Sequence, residues 1–339
     1  MTNDTDNTWS LTPLPWQERV WGQFSEARAG GRMPHAVLLA GPEGVGKTTL
    51  AESLTGGLLC SRPGSDGQAC GECPACRQLL AGSHPDLSIL VPEGEGKSIQ
   101  VDQVREFTRE LSLTSQYGAR KVGIIRPAEA MTTGAANSLL KTLEEPASDT
   151  VIILVSAHPG RLLATIRSRC QQVTLPSPSR EAAIQWLGQR LEDADQALLL
   201  LNLAQGAPLR ALELAGAEEQ LADRARILDT AAAVMEDRQG AMEAAGKLEK
   251  QELTTLVRWL QQWFRDLVRL LAAGEEVALI NLDREGELKR LARSTSLEAA
   301  LLIHETLTEG RRGLEQPLNR RLFLEDLFSR MTQAGAKAR

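Results

Sequence analysis

The stretch HAVLLAGPEGVGKT at residues 35–48, from His35 to Thr48, decides the fold of this chain. Its first six residues, His35–Ala40, form a short apolar run that suits a strand buried on both faces of a parallel sheet. The remaining eight, Gly41 to Thr48, fit G-x-x-x-x-G-K-[ST] at every fixed position, and Lys47–Leu59 reads as a helix. Strand, glycine-rich turn and helix in that order make a phosphate cradle. The glycines let backbone N–H groups turn toward one point, and the helix N-terminus adds positive potential. Lys47 would reach the β- and γ-phosphates and the Thr48 hydroxyl would hold Mg2+. The candidate nucleotide-binding set is Gly41, Gly44, Gly46, Lys47, Thr48 and Thr49, for ATP or ADP with Mg2+; the competing reading is a fortuitous glycine-rich turn.

Outward from this stretch, Pro15–Arg28 precedes it as a helix with Trp16, Val20, Trp21 and Phe24 at helical spacing. Leu87–Val91, Lys121–Ile125 and Val151–Val155 read as further apolar strands. Between them lie the helices Val101–Leu113, with Val101, Val104, Phe107, Thr108 and Leu111 on one face, and Gly134–Glu144. This alternation predicts a parallel sheet with crossover helices. Beyond Pro176–Pro178 the patterns are helical only: Ser179–Leu191 with Ser179 as cap, Ala194–Gln205, and apolar stripes at Leu256–Leu271 and at Leu322, Leu324, Leu327, Phe328 and Met331.

The 339 residues carry 38 Lys+Arg against 44 Asp+Glu, a net charge of -6, which argues against a surface built throughout to grip nucleic acid. Aromatics are 4% with a single Tyr, too few for a base-stacking single-strand binder. No apolar run reaches the length of a membrane span, and the polar start has no secretory pattern, so a cytoplasmic chain is expected.

Hydrolysis normally needs a carboxylate at the end of a neighbouring strand, to help hold Mg2+ and orient water. After Lys121–Ile125 come Arg126 and Pro127 instead, and Glu129 falls too late for the strand end. The chain is therefore expected to bind ATP and turn it over negligibly; the competing reading is that Glu144, Glu145 or another carboxylate takes over. Cys60, Cys70, Cys73 and Cys76 supply four thiolates from one Gly/Ser/Pro-rich excursion, with two C-x-x-C spacings. Four sulfurs suit a closed, structural tetrahedral Zn2+ site; a redox pair or free structural thiols are the competing readings.

Two further strings carry a resemblance. Asn137-Ser138-Leu139-Leu140-Lys141-Thr142-Leu143-Glu144-Glu145-Pro146 closely resembles the NALLKTLEEP helix of bacterial replication clamp loaders, and Ser168-Arg169-Cys170 matches the SRC motif of the same family. The order phosphate loop, cysteine knuckle, His84-Pro85-Asp86, NSLLKTLEEP and SRC covers about residues 14–176. The resemblance implies a polar tail (1–13), an α/β P-loop AAA+ domain (14–176) with a zinc knuckle at 60–76, a small helical lid (177–217), an all-α collar for oligomerisation (218–335), and a tail (336–339). Two kinds of subunit share the motifs: the ATP-hydrolysing motor, gamma/tau, and the delta-prime kind. Motors carry Asp-Glu where this chain has Arg126-Pro127, and a lid arginine where it has Leu209, with Arg210 one residue late. Pro15-Trp16 also resembles delta-prime.

By this resemblance the chain is expected to be a stator beside gamma/tau motor and delta subunits, meeting the sliding clamp and primer-template DNA through the complex. Arg169 would act in trans as an arginine finger in a neighbour's ATP site; an ordinary surface arginine, or a partner for a local acid, is the alternative. DNA polymerase activity would belong to the holoenzyme. Lys97, Arg105 and Arg109 are candidates for phosphate contact, or else a solvated face of Arg–Glu pairs. Ser156 resembles a γ-phosphate sensor or simply ends a strand, and Lys141 faces a neighbour or solvent. An autonomous ATPase motor and a zinc-dependent DNA-binding regulator are the rival readings; Arg126-Pro127 opposes the first and the acidic balance the second.

Overall fold

The computed structural model describes residues 9–94, 96–117, 120–147, 149–313 and 319–336. The first eight residues of the expected polar tail, and residues 337–339 of the C-terminal one, lie outside the described residues. The chain divides into two compact units, Met1–Ala182 and Ala183–Arg339.

The first unit is built on a parallel sheet of β1 (Ala36–Ala40), β2 (Leu87–Leu90), β3 (Lys121–Ile125), β4 (Thr150–Ser156) and β5 (Gln171–Thr174). The strand order is β2-β3-β4-β1-β5 and each neighbouring pair is parallel, as the strand–helix alternation implies. The three inner strands are buried at every position, which accounts for their unbroken apolar reading. β5 is a short polar edge strand that hydrophobic patterning does not reveal.

Helix α1 (Glu18–Ala29) precedes β1, and the crossover helices are α2 (Lys47–Leu59), α3 (Pro74–Leu80), α4 (Val101–Ser112), α5 (Thr133–Glu144) and α6 (Ala164–Arg167). α2 packs on β1, β3 and β4. Helices α4, α5 and α6 share a core on the sheet in which Phe107, Leu139, Leu143 and Ile166 meet Leu38 and Leu154. Alternate strand residues serve the two faces. Periodicity does not predict α3: Cys73 caps it and Pro74, the last residue of the turn-rich excursion, occupies its first turn. Packing begins before residue 14, since Trp9 is buried and the Ser10 N–H donates to Glu52 at 3.3 Å.

The His84-Pro85-Asp86 string has a structural explanation. The Asp86 carboxylate is buried and accepts from the Gln116 N–H at 2.8 Å, the Tyr117 N–H at 3.0 Å and the Ser115 hydroxyl at 2.9 Å, with Lys121 Nζ at 3.9 Å. It thereby ties the segment after α4 to the start of β2 and β3. Burial alone would raise its pKa, but these donors and Lys121 outweigh it and hold the carboxyl below its ordinary range.

In the second unit the helices are α7 (Arg180–Gly188, which begins in the first unit), α8 (Ala197–Leu203), α9 (Pro208–Ala215), α10 (Glu218–Met235), α11 (Ala241–Leu248), α12 (Leu253–Ala273), α13 (Glu285–Ser294), α14 (Leu297–Gly313) and α15 (Arg320–Ala336). No strand occurs among its described residues. The predicted α12 stripe is the core, with Leu256, Leu260, Trp263, Phe264 and Leu267 fully buried. In the last stripe Leu324, Leu327, Phe328 and Met331 are buried, but Leu322 is 65% exposed because it lies on the opposite side of α15. Asp266, wholly buried, accepts from the Ile280 and Asn281 N–H groups and from Asn281 Nδ2, and Arg224 bridges Asn281 to Asp283. These bonds anchor the loop after α12 on the helices beneath it.

Candidate functional site

The phosphate loop leaves the end of β1, and the register pairs Ala40 with Ser156, so it opens beside the end of β4. That is where α/β sheets place ligands. Gly46 caps α2 in the left-handed region at φ 89°, and a Cβ there would stand 2.3 Å from Leu14 Cδ1. At Gly41 a Cβ would stand 2.3 Å from the Leu175 carbonyl oxygen. Neither position admits a side chain, so the cradle needs both glycines. Thr48 and Thr49 follow in the first turn of α2. Lys47 is 7% exposed and its Nζ donates to the Pro42 carbonyl at 2.6 Å. Burial lowers its pKa, while Glu43 and Glu129 oppose the shift. The residues present fit a bound nucleotide: a glycine cradle at a helix N-terminus with a lysine folded over it.

Behind the loop lies a support that sequence reasoning missed. Trp16 Nε1 donates to the Val45 carbonyl at 3.0 Å, and buried Gln17 donates through Nε2 to the Gly46 carbonyl at 2.7 Å. The turn Pro15–Gln17 thus holds the carbonyl side of the loop, leaving its N–H side for a ligand. No sequence signal marks this role for Gln17, since its burial is seen only in the fold.

The strand-end acid is absent, and its replacement inverts the local charge. Arg126 follows β3 and pairs with Glu52 of α2 at 3.1 Å. Glu129 lies beyond it in the turn Ala128–Ala130 and accepts from the Ala157 N–H at 2.9 Å and the His158 N–H at 3.0 Å. Its Oε1 therefore serves the end of β4. Ser156 is buried and its hydroxyl accepts from the His158 N–H at 3.2 Å.

Cys60, Cys70, Cys73 and Cys76 meet, with all four sulfurs within 4.8 Å of one another, so they could hold a metal ion. The Cys60–Cys73 and Cys70–Cys76 separations are 3.9 Å and 4.0 Å, against about 3.8 Å for sulfurs on one tetrahedral Zn2+. Backbone N–H groups of Arg62 and Cys70 point at Cys60 Sγ, that of Cys73 at Cys70 Sγ, and that of Cys76 at Cys73 Sγ. For Cys73 burial opposes ionisation, but the Ser61 hydroxyl and the Cys76 and Ser61 N–H groups outweigh it and bring the thiol down to about 5. The loop docks on α1 through Trp21 Nε1 to the Asp66 carbonyl at 2.9 Å and Arg28 to the Gly67 carbonyl at 3.2 Å. Cys170 stands apart in the sheet core, its thiol pushed up to about 11 by burial.

Arg169 is one-third exposed, and its Nε donates to Glu144 Oε1 at 2.6 Å, Nη2 contacting the same oxygen. Its Nη1 donates to the Thr165 carbonyl at 3.0 Å. Within this chain its partner is thus a carboxylate supplied by the NSLLKTLEEP helix, a pairing compatible with either expectation for this residue. Arg105 pairs with Asp102 at 2.9 Å and Arg109 with Glu106, both exposed on α4, Arg105 with an aspartate instead of the expected glutamates. Lys97 and Lys141 are exposed, and Arg210, near the start of α9, pairs with Glu213 at 2.9 Å.

A parallel α/β sheet whose first strand runs into a glycine cradle and an N-terminally open helix, followed by an all-helical region, defines a P-loop protein of the AAA+ class. The family described as "DNA polymerase III, delta subunit" matches residues 16–179, and "DNA polymerase III, delta subunit, C terminal" matches residues 218–333. DNA polymerase III subunit delta-prime of Pseudomonas aeruginosa is 40% identical over 322 residues, 93% of this chain and 95% of that one. The subunit of the same name from Escherichia coli K12 is 32% identical over 94% of each chain. Subunit tau of Escherichia coli K12 is 27% identical over 91% of this chain and 51% of its own length. The chain belongs to the DNA polymerase III delta-prime family.

Proposed function

We propose that this chain is the non-hydrolysing stator of a DNA polymerase III clamp loader. It helps load the sliding clamp onto primed DNA by presenting Arg169 to the ATP site of a neighbouring motor subunit. The observation that carries this reading is the end of β3, where a cation paired with Glu52 stands in place of the hydrolytic acid. With its own site lacking that acid, the chain's chemical contribution lies in the exposed guanidinium of the SRC string, which would stabilise γ-phosphate charge across a subunit boundary. Its partners are gamma/tau motors and delta, with clamp and primer-template DNA reached through the complex.

The α/β domain spans 14–176, the lid 177–217 and the collar 218–335, with tails at 1–13 and 336–339. ATP or ADP with Mg2+ occupies Gly41, Gly44, Gly46, Lys47, Thr48 and Thr49 without rapid turnover. Cys60, Cys70, Cys73 and Cys76 hold a structural Zn2+, and the complex works in the cytoplasm. A second reading, an ATP-hydrolysing motor of the gamma/tau kind, is favoured by the complete phosphate loop. Steady-state ATP turnover by the pure chain separates the two. The stator shows background rates unchanged by Lys47→Ala, whereas robust turnover abolished by that substitution would establish the motor.

A further inference from the structure

The two signature strings of this chain meet in one ion pair: Glu144 ends the NSLLKTLEEP helix, and Arg169 is the centre of Ser168-Arg169-Cys170. The residues flanking both side chains are fixed. Leu143 is 1% exposed beside Glu144, Cys170 is 8% exposed beside Arg169, and both belong to one core cluster with Ile166. His35 Nε2 lies 3.0 Å from the Leu143 carbonyl and pins the same turn. Two surface groups are therefore carried on backbone anchored in one core, Glu144 at the C-terminal end of α5 and Arg169 two residues past the end of α6.

The guanidinium has five N–H donors in a planar fork. Nε and Nη2 donate to Glu144 Oε1, and Nη1 donates to the Thr165 carbonyl. Three donors are thus committed within the chain, two remain for an external anion, and the plane of the fork is set before any ligand arrives. A half-exposed ion pair adds little to stability, whereas fixing a long, rotamer-rich side chain in one orientation lowers the cost of its use elsewhere. We infer that Glu144 is a positioning residue: it holds Arg169 in the orientation from which the guanidinium meets phosphate oxygens of a neighbouring subunit's nucleotide. This inference rests on the proposed trans role of Arg169.

The test is DNA-stimulated ATP turnover by the clamp loader reconstituted from full-length chain, motor subunits and delta. Glu144→Ala should lower kcat roughly ten-fold and leave KM for ATP within about two-fold, because an interaction made at the transition state is weakened while nucleotide binding is not. Glu144→Gln, which keeps the acceptor oxygen without the charge, should restore kcat to within about three-fold of the unaltered complex. In an Arg169→Ala background, Glu144→Ala should have no further effect, as residues acting through one group are not additive. If Arg169→Ala lowers turnover while Glu144→Ala leaves it unchanged, the positioning role falls and the finger stands. The positioning role also falls, and the finger stands, if Glu144→Ala lowers turnover equally in the Arg169→Ala background. If Arg169→Ala itself changes nothing, the finger falls and the positioning role with it.

Discussion

Replacing Asp86 by Asn removes the charge at the centre of the clasp between the α4–β3 segment and the sheet, with almost no change of shape. The carboxylate accepts three hydrogen bonds, from Gln116, Tyr117 and Ser115, and Lys121 Nζ stands 3.9 Å away with its side chain 8% exposed. Asn retains one acceptor oxygen and turns an N–H2 group toward donors that need acceptors. Hydrogen bonds to a charged group contribute about 1.5–3 kcal/mol each, and Lys121 would keep its charge in a buried place without a counterion. The expected loss is about 3–5 kcal/mol at pH 7, smaller than the sum of the parts because the groups share one network. Asp86→Asn combined with Lys121→Met should recover about 1–2 kcal/mol by removing the stranded cation.

Hydrogen exchange of the β2, β3 and α4 amides is the assay, since it reads the first unit separately from the helical second unit. The pH dependence has a definite sign. The carboxyl is held below its ordinary range, so its stabilisation is fully present above an ordinary aspartate pKa of about 3.9. It is lost as pH falls through the lower folded value. The Asp86 contribution to the gap between wild type and Asp86→Asn should therefore close below about pH 4, whereas His84, whose pKa Asp86 raises against burial, adds to the gap as it protonates. A gap under about 1 kcal/mol at pH 7, or one undiminished well below about pH 4 in a His84→Gln background, would refute the clasp.

Metal analysis of the purified chain should find zinc at one ion per molecule. Cys73→Ala should lose it, together with protection of the Gly67–Cys76 segment, because a loop with so little apolar content relies on the ion for its folding. Lys47→Ala should weaken ATP and ADP binding at least roughly ten-fold in equilibrium titrations, and Gly46→Ala should do the same by driving a Cβ into Leu14. Asp266→Ala should destabilise the second unit by about 3–5 kcal/mol, seen as lost protection of Ile280 and Asn281, whose N–H groups it accepts from.

What the sequence revealed follows the strength of its local signals. The β1–loop–α2 stretch combines an unbroken apolar run, fixed glycines and a helix start, and the three inner strands read clearly because burial on both faces confines their polar residues, Lys121, Thr150 and Ser156, to strand ends. β5 pairs only with β1 along its polar sequence Gln171–Thr174, and an edge strand that half faces water carries little hydrophobic signal. α3, Pro74–Leu80, is seven residues that start where the turn-rich excursion ends, too short for a helical period to show. At the site, residue types and spacing announced the loop glycines, Lys47 and the four cysteines. The pairs that tune the site join positions far apart in the chain: Arg126 with Glu52, Glu129 with the end of β4, Gln17 with Gly46 and Glu144 with Arg169. Such long-range contacts depend on topology, which periodicity does not encode.

The central claim is that this chain acts on a neighbour's nucleotide and not on its own. Clamp loading onto primed DNA by the complex, reconstituted with unaltered chain, with Arg169→Ala and with Lys47→Ala, tests it most directly. Arg169→Ala should slow loading and DNA-stimulated ATP turnover by at least roughly a hundred-fold per affected site, while Lys47→Ala should leave both near the unaltered rate. Loading that survives Arg169→Ala and collapses with Lys47→Ala would contradict the claim.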